Sequence, residues 1–405
     1  MPTYGEKEHL INKAEAFEHA TLGVLQSGRG KLPGIDAWQA GAVAKAPTII
    51  YDINGTPLFY DYAVKAGRTQ LGTVRTAASK ILGAPDVAYE FGARSIDFKG
   101  LVAKLLPKVK KAHRGKTIGA PRLVCYCYPK LGVLFPLTGP GRERSQAIYH
   151  FSGNEVPIRD PSTPIEGEFA YSFYDSLKTA TRKKNLGVYA VVDDYRAKLT
   201  PALRKSLTTV KSIDLLHRRI EPWRLTSEIV RELAYCPHYA TTDARGHHCF
   251  SVHGQQKWDY CAVATAQMLL DFFRYHETQD DIAPALGYSA GSGCPSDQSG
   301  GYATLSNNHL KATFDNSATW AKAKAHLQTG NPLKSGIPGH ARACAGYAYR
   351  RSILIPIGGS SITDRRLLIY DPSPWNSDYA VGGSVYWENW DAVNHTNFIY
   401  VSIDK

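Results

Sequence analysis

Residues 254–276 read GQQKWDYCAVATAQMLLDFFRYH, and this stretch decides the fold of the C-terminal part of the chain. From Cys261 to Phe273 almost every residue is apolar or small, which is typical of a buried central helix. Asp259 is placed to cap its first turn. Cys261 would then lie near unpaired N–H groups and the positive end of the helix dipole, an environment that lowers a thiol pKa. The stretch therefore predicts a nucleophilic cysteine.

The neighbours of Cys261 suit acyl-transfer chemistry. Gln255 and Gln256 lie shortly before the cysteine, so either side-chain amide could donate to a developing oxyanion. Trp258 and Tyr260 are predicted to wall the site and to bind substrate. An isolated cysteine is more often a small buried residue than a nucleophile, and these neighbours are the reason to prefer the nucleophile.

A histidine follows in the segment at 331–349, NPLKSGIPGHARACAGYAY. The segment predicts two strands joined by a turn at Pro338 and Gly339. His340 opens the second strand, whose small residues can pack tightly in a half-barrel, and its side chain would point into a cleft. A lone histidine is usually an ordinary core or surface residue, so the role of His340 depends on its partners.

A carboxylate at the end of a further strand completes the set. Residues 367–370 (LLIY) predict a strand that Asp371 and Pro372 end. Asp371 can accept the imidazole N–H, fix the histidine tautomer and stabilise the imidazolium. An ordinary Asp-Pro turn is the alternative. Asn376 and Asn389 are weaker candidates for the same role.

The order Gln, Cys, His, Asp resembles the papain-like clan of cysteine peptidases over residues 254–401, nearest to the peptidase C39-like and staphopain/streptopain groups. Three stretches carry the resemblance: Q-x5-C before an apolar helix, P-x-x-S-G-x-x-G-H-A before a small-residue strand, and I-Y-D-P. The resemblance implies that Cys261 is the nucleophile, His340 the general base and acid, and Asp371 the group that orients the histidine. It also implies an oxyanion hole made by Gln255 and the Cys261 N–H.

The chain departs from the family pattern in three ways. Ala262 follows the cysteine, where many members of the clan have glycine. Gln256 beside Gln255 leaves the oxyanion donor open between two glutamines. The cysteine-to-histidine spacing suits the compact members of the clan, and a long hairpin at 352–366 (SILIPIGGSSITDRR) separates the histidine from Asp371.

The upstream part of the chain begins with a β-hairpin signal. Residues 48–64 (TIIYDINGTPLFYDYAV) contain Asn54 and Gly55 between two β-rich runs, which predicts a type I′ turn. This start is similar to a streptopain-type pro-domain. We hypothesise that the region before residue 240 includes an inhibitory or targeting module that covers the cleft.

The other upstream patterns predict a mixture of helices and strands. They are a helical lead-in at 1–45, a strand at 71–74, a short helix at 76–82, a basic helix at 95–111 that Pro107 bends or ends, one or two strands at 119–135, a connection at 140–165, helices at 171–181, 200–208 and 225–234, and a strand at 188–192. The predicted fold class is therefore α+β. Its regions are an N-terminal α+β region with a β-hairpin (1–140), a connecting helical region (141–240) and a papain-like domain with a central helix and an antiparallel half-barrel (241–405).

Composition restricts the partners. The net charge of +12 favours acidic partners such as nucleic acid, but the short basic runs are typical of solvated helix faces.

Seven cysteines, sparse and odd in number, imply no disulfide framework. The start of the sequence lacks a signal-peptide pattern and no apolar run spans a bilayer, so we expect a cytoplasmic protein without a membrane partner.

Three rival interpretations stay open. Metal-ligand side chains cluster in residues 236–253, although their spacing fits no common structural zinc pattern. They are Cys236, His238, His247, His248, Cys249 and His253. The same Cys-His-Asp groups could serve an acyltransferase, transglutaminase-like enzyme or amidase. The basic segment at 99–116 could bind nucleic acid through phosphates, but no stacking aromatics interleave with its lysines.

The interpretation we favour is a cysteine peptidase. It would act on a peptide or protein substrate through a thioester acyl-enzyme, with Cys261, His340, Asp371 and Gln255 as its site residues. This chemistry requires no cofactor and no metal. The N-terminal region would inhibit the enzyme by covering the cleft.

Overall fold

The computed structural model describes residues 6–28, 32–92, 96–209, 211–220, 226–235, 250–354, 361–374 and 383–404. The α-helices are α1 (Lys13–Ser27), α2 (Phe98–Ala112), α3 (Phe173–Ser176), α4 (Thr179–Ala197), α5 (Pro201–Thr209), α6 (Ile213–Ile220), α7 (Cys261–Phe272), α8 (Gln279–Ala285), α9 (Ser299–Leu305) and α10 (Trp320–Leu327). Short 3-10 helices cover Glu6–His9, Ile35–Trp38, Lys80–Leu82 and Trp390–Ala392.

The strands of the first half are β1 (Ala42–Val43), β2 (Thr48–Tyr51), β3 (Pro57–Ala66), β4 (Thr69–Ala77), β5 (Asp86–Phe91), β6 (Thr117–Ile118), β7 (Arg122–Cys127), β8 (Lys130–Thr138), β9 (Arg144–His150) and β10 (Ile165–Glu166). Those of the second half are β11 (Thr226–Tyr235), β12 (Cys294–Pro295), β13 (Leu310–Asp315), β14 (Leu333–Ile337), β15 (His340–Leu354), β16 (Ser361–Asp371), β17 (Ser384–Asn389) and β18 (Asn397–Ile403). This mixture of helices and strands confirms the predicted α+β class.

Most strands belong to one continuous sheet. Its main order is β13-β18-β14-β15-β16-β17-β5-β4-β3-β2-β7-β8-β6, with β1, β9 and β11 paired to β3, β8 and β15. β10 and β12 form a separate antiparallel pair. The sheet crosses from the second half of the chain to the first at β17 and β5, where Trp387 lies opposite Tyr89. The region boundaries predicted at 140 and 240 stay predictions.

Helix α7 lies against the C-terminal strands β14 and β15. It is buried on nearly every side, as its all-round apolar sequence predicts. Ala341, Ala343 and Ala345 of β15 belong to the same buried cluster, and their small side chains let the helix approach the strand closely. This packing places the first residue of the helix beside the first residues of the strand. No helix among the residues described has both the length and the apolarity needed to cross a bilayer.

Two upstream predictions are wrong in element type. Residues 225–234, predicted as a helix, lie almost wholly in β11, which pairs with β15 along its length. The long run of ladder hydrogen bonds outweighs the helix propensity of its Glu, Leu and Ala residues. Residues 188–192, predicted as a strand, lie inside α4. Tyr189, Val192 and Tyr195 recur every third residue there and bury one helical face.

Several smaller predictions change in detail. The hairpin of β2 and β3 is confirmed, but its turn is not type I′, because Gly55 has a φ of +89° while Asn54 does not have a positive φ. The Asp52 carboxylate accepts the Asn54 N–H at 2.9 Å, which shapes a longer loop. The helix α2 continues past Pro107 to Ala112. The predicted connection at 140–165 contains β9.

Candidate active site

Cys261 is the first residue of α7, and its side chain is fully buried. The predicted cap is wrong, because Tyr260 occupies the N-cap position and no side chain caps the helix. Asp259 instead accepts hydrogen bonds from the Tyr288 hydroxyl at 3.0 Å and from the Gly291 N–H at 2.8 Å. The Asp259 carboxylate, predicted to cap α7, therefore binds the loop after α8.

His340 and Asp371 meet at the ends of neighbouring strands. β15 begins at His340 and β16 ends at Asp371, and the His340 Nε2 lies 2.9 Å from the Asp371 Oδ1. Asp371 also accepts the Ser373 N–H at 2.8 Å and the Tyr386 hydroxyl at 2.9 Å, so its carboxylate is held in place. The His340 Nδ1 is buried and has no hydrogen-bond partner within the described parts of the chain.

The cysteine lies beside this histidine along the strand. The Cys261 sulfur accepts a hydrogen bond from the backbone N–H of Ala341, the residue after His340. The tight packing of α7 on β15 produces this contact. The structure thus brings the cysteine, the histidine and the aspartate predicted from sequence into one buried cluster.

Burial keeps the thiol and the imidazole neutral. It raises the pKa of Cys261 to about 11, although the nearby Lys130 ammonium favours the thiolate. Burial also lowers the pKa of His340 to about 4, against the attraction of Asp371. Burial raises the pKa of Asp371 too, but its hydrogen bonds with His340 and Ser373 and the Arg342 charge hold that pKa below its usual value. The lowered thiol pKa predicted from sequence is wrong for this covered arrangement, because desolvation outweighs the helix terminus.

The two glutamines are placed very differently. Gln255 is fully buried, and its backbone N–H donates to the Pro372 carbonyl at 3.0 Å, which ties it to the Asp371 loop. Its side-chain Nε2 donates to the carbonyls of Lys257 and Trp258 at 3.0 and 2.6 Å. Gln256 is exposed. An oxyanion role for Gln255 therefore requires its amide to exchange one of these carbonyls for the substrate oxygen.

The two predicted wall residues also differ. Trp258 is partly buried, whereas the ring of Tyr260 packs edge-on against Tyr288 with centroids 4.7 Å apart. The Tyr260 hydroxyl donates to Asp280 at 3.0 Å and contacts the Lys257 ammonium at 2.6 Å, so it faces a polar cluster beside α8. Substrate binding by Trp258 and Tyr260 stays a prediction.

Residues from the first half of the chain contact the turn before His340, and sequence reasoning missed them. The Lys130 ammonium reaches the Gly339 carbonyl at 3.3 Å and the Glu168 carboxylate at 2.7 Å. The Cys127 thiol donates to the Pro338 carbonyl at 3.1 Å. A buried lysine is rare unless it is paired, and nothing in the local sequence of Lys130 predicts its burial.

The structure describes one of the two weaker alternatives to Asp371. Asn389 accepts the Asp391 N–H at 2.9 Å and caps a short 3-10 helix, while Asn376 lies outside the described residues. The predicted metal ligands from Cys236 to Cys249 also lie outside them. His253 is described, and its Nε2 lies 2.5 Å from the Asp271 carboxylate. Within the described ranges, no group of three or more His, Cys, Asp or Glu side chains could hold a metal ion.

One comparison with known proteins bears on this site. Residues 248–396 match the model of the Peptidase_C39 like family. The match covers α7, the turn at Gly339 and the end of β16, so it includes Cys261, His340 and Asp371. No curated protein sequence matches the chain significantly. The predicted resemblance of the C-terminal region to the C39-like group is confirmed.

Proposed function

We propose that the C-terminal region hydrolyses peptide bonds, with Cys261 as nucleophile, His340 as general base and acid, and Asp371 as the group that orients the histidine. The observation that carries the proposal is the buried contact of 2.9 Å between the His340 Nε2 and Asp371. This contact occupies the Nε2, and the His340 Nδ1 has no hydrogen-bond partner among the described residues. The backbone N–H of the next residue, Ala341, donates a hydrogen bond to the Cys261 sulfur. An imidazole held at one nitrogen and unpaired at the other can remove a thiol proton.

The reaction would proceed in two steps, acylation of Cys261 and hydrolysis of the thioester. The His340 Nδ1 takes the thiol proton, and the Cys261 sulfur attacks the substrate carbonyl. The Cys261 N–H, which belongs to the first turn of α7, and the Gln255 amide stabilise the oxyanion. His340 then protonates the leaving amine, and a thioester remains on Cys261. His340 next takes a proton from water, the hydroxide attacks the thioester carbonyl, and the C–S bond breaks to release the carboxylic acid. The Cys261 thiolate takes back the proton from His340. Asp371 stabilises the imidazolium in both steps of the reaction.

We also propose that the N-terminal region inhibits this site, as in a zymogen. Cys261 and His340 are fully buried, so no substrate can reach them in the arrangement described. Lys130 bridges the inhibitory region to the turn before His340, and its side chain and that of Glu168 are both almost completely buried. Activation would require this contact to open.

The test uses an opened protein and casein as substrate. The variant Glu168→Lys leaves two ammonium groups buried against each other at the turn before His340, so the contact of Lys130 with that turn is destabilised. We expect it to release casein peptides at least about tenfold faster than the wild-type chain, because the cover is weakened. Mass spectrometry of both new termini distinguishes hydrolysis from transfer to an amine.

Two cysteine variants provide the control. Cys261→Ala in the opened protein should abolish peptide release, whereas Cys344→Ala, at another buried thiol of the same region, should preserve it. An opened, folded protein that releases no peptides, or releases them without Cys261, would refute the proposed activity.

A further inference from the structure

A strand from the first half of the chain lies between two backbone edges of the C-terminal region. β10 (Ile165–Glu166) pairs antiparallel with β12 (Cys294–Pro295). On its other side the Gly167 N–H donates to the Gly339 carbonyl at 3.3 Å. The fit is close, because a Cβ on Gly167 would lie 2.2 Å from the Ser292 carbonyl oxygen. A peptide held by main-chain hydrogen bonds along an edge is a common mode of peptide recognition.

The same strand runs past the cysteine. Gly339 immediately precedes His340, so the hydrogen bond from Gly167 ties the strand to the turn that presents the histidine. The charges of Glu166 and Glu168, on either side of Gly167, both act on the Cys261 sulfur. The strand therefore occupies the position in which an extended substrate would approach the thiol.

The side chain of Glu166 enters a closed polar pocket. Its carboxylate contacts the Lys334 ammonium, and both side chains are at most 1% exposed. The Gln298 Nε2 donates to the second carboxylate oxygen at 2.7 Å, and Asn397 also hydrogen-bonds the carboxylate. Lys334 further donates to the Ser296 carbonyl at 3.0 Å and to the Asn397 Oδ1 at 2.7 Å.

The pocket and its occupant come from different parts of the chain. Lys334 lies on β14, Asn397 begins β18, and Gln298 precedes α9. All three elements are in the second half of the chain. Glu166 lies on β10, in the first half of the chain, which we propose covers the site. A buried ammonium without a counter-charge is strongly unfavourable, so a pocket built around Lys334 requires an anionic group whenever the strand leaves.

We propose that the pocket of Lys334, Gln298 and Asn397 selects an acidic side chain of the peptide substrate, and that Glu166 fills it as an internal substrate mimic. This inference rests on the proposed function, since it assigns the substrate class and the regulation of the same cleft. Lys334 is the specificity-determining residue, because it supplies the only charge complementary to the carboxylate among the three.

The experiment expels the strand and asks which peptide replaces it. Glu166→Lys puts a second ammonium against Lys334, so in the full-length variant iodoacetamide should alkylate Cys261 at least about tenfold faster than in wild type. The peptide TPIEGEFA, which copies residues 163–170, should then slow this alkylation again. We expect TPIQGEFA to need about tenfold more peptide for equal protection, because it lacks the charge that Lys334 binds. Peptide mapping identifies the alkylated cysteine.

Matched variants separate the explanations. Asp160→Lys, an exposed site in the same connection, should leave the alkylation rate unchanged. Lys334→Met in the Glu166→Lys protein should remove the preference for TPIEGEFA. Where Glu166→Lys shows no cooperative thermal transition, Glu166→Ala serves for the same comparison. Equal protection by the two peptides, or alkylation as slow as in wild type in a folded variant, would overturn the proposal.

A last variant distinguishes failure of the pocket from failure of the enzyme. His340→Ala in the Glu166→Lys protein should slow the alkylation of Cys261 if the imidazole activates the thiol. If His340→Ala has no effect while the peptide preference persists, the peptidase proposal fails and the acidic-side-chain pocket stands.

Discussion

The two halves of the continuous sheet each bury a carboxylate, and they use it differently. In the first half, Asp61 accepts two hydrogen bonds from Arg75, each 2.8 Å long. Each charged group therefore has a hydrogen-bonded partner of opposite charge. In the second half, Asp371 holds His340, whose Nδ1 has no partner in the chain as described. A satisfied buried pair stabilises a fold, whereas a pair with one unpaired atom is a candidate for chemistry. Removing each carboxylate should therefore affect different properties.

The largest effect is expected from Asp371→Ala in the opened Glu168→Lys protein. Without the carboxylate, His340 loses its fixed tautomer and the stabilisation of its imidazolium, so kcat for casein hydrolysis should fall about 10²–10⁴-fold. Initial rates of peptide release at saturating casein measure this. A loss of kcat smaller than about threefold would remove Asp371 from the proposed mechanism.

Asp61→Ala should instead reduce stability. It removes the carboxylate that hydrogen-bonds the buried Arg75 guanidinium, so the free energy of unfolding should fall by about 3–5 kcal/mol in urea titrations. The alkylation rate of Cys261 in the folded protein should not change. The double variant Asp61→Ala/Arg75→Met should recover most of the loss, since it buries no unpaired charge. A stable single variant would show that water or another group neutralises Arg75.

A smaller effect is expected from acid, and buried histidines of both halves contribute to it. Burial lowers the pKa of His340 to about 4 and that of His150 to about 3, from an ordinary value of 6.5. Because folding depresses these pKa values, their contribution to stability is complete above pH 6.5 and is lost as the pH falls from 6.5 through about 4 for His340 and about 3 for His150. His340 alone should account for about 3 kcal/mol of that loss.

Urea midpoints at pH 7.5, 5.5 and 4.5 test this pH dependence. His340→Gln should reduce the slope of the profile over this window, and the slope that remains is attributed to the other buried histidines, His150 among them. An unchanged slope in His340→Gln would mean that other groups cause the acid sensitivity.

Local patterns carried the predictions that succeeded. The all-round apolar run after Cys261 predicted α7, and the turn at Pro338 and Gly339 predicted the start of β15, because both depend on neighbouring residues. The family resemblance added the pairing of Cys261 with His340 and Asp371. The errors at 188–192 and 225–234 arose where packing or strand pairing with distant residues overrides propensity.

The sequence by itself determined which side chains can do chemistry and which elements carry them: the cysteine at a helix start, the histidine at a strand start and the aspartate at a strand end. Tertiary structure alone decided their protonation, because the pKa values depend on burial by residues more than a hundred positions away. It also decided that Lys130 and Glu166 lie at the cleft, since these contacts join distant parts of the chain. Side-chain identity is local information, whereas desolvation and long-range ion pairing exist only once the chain has folded.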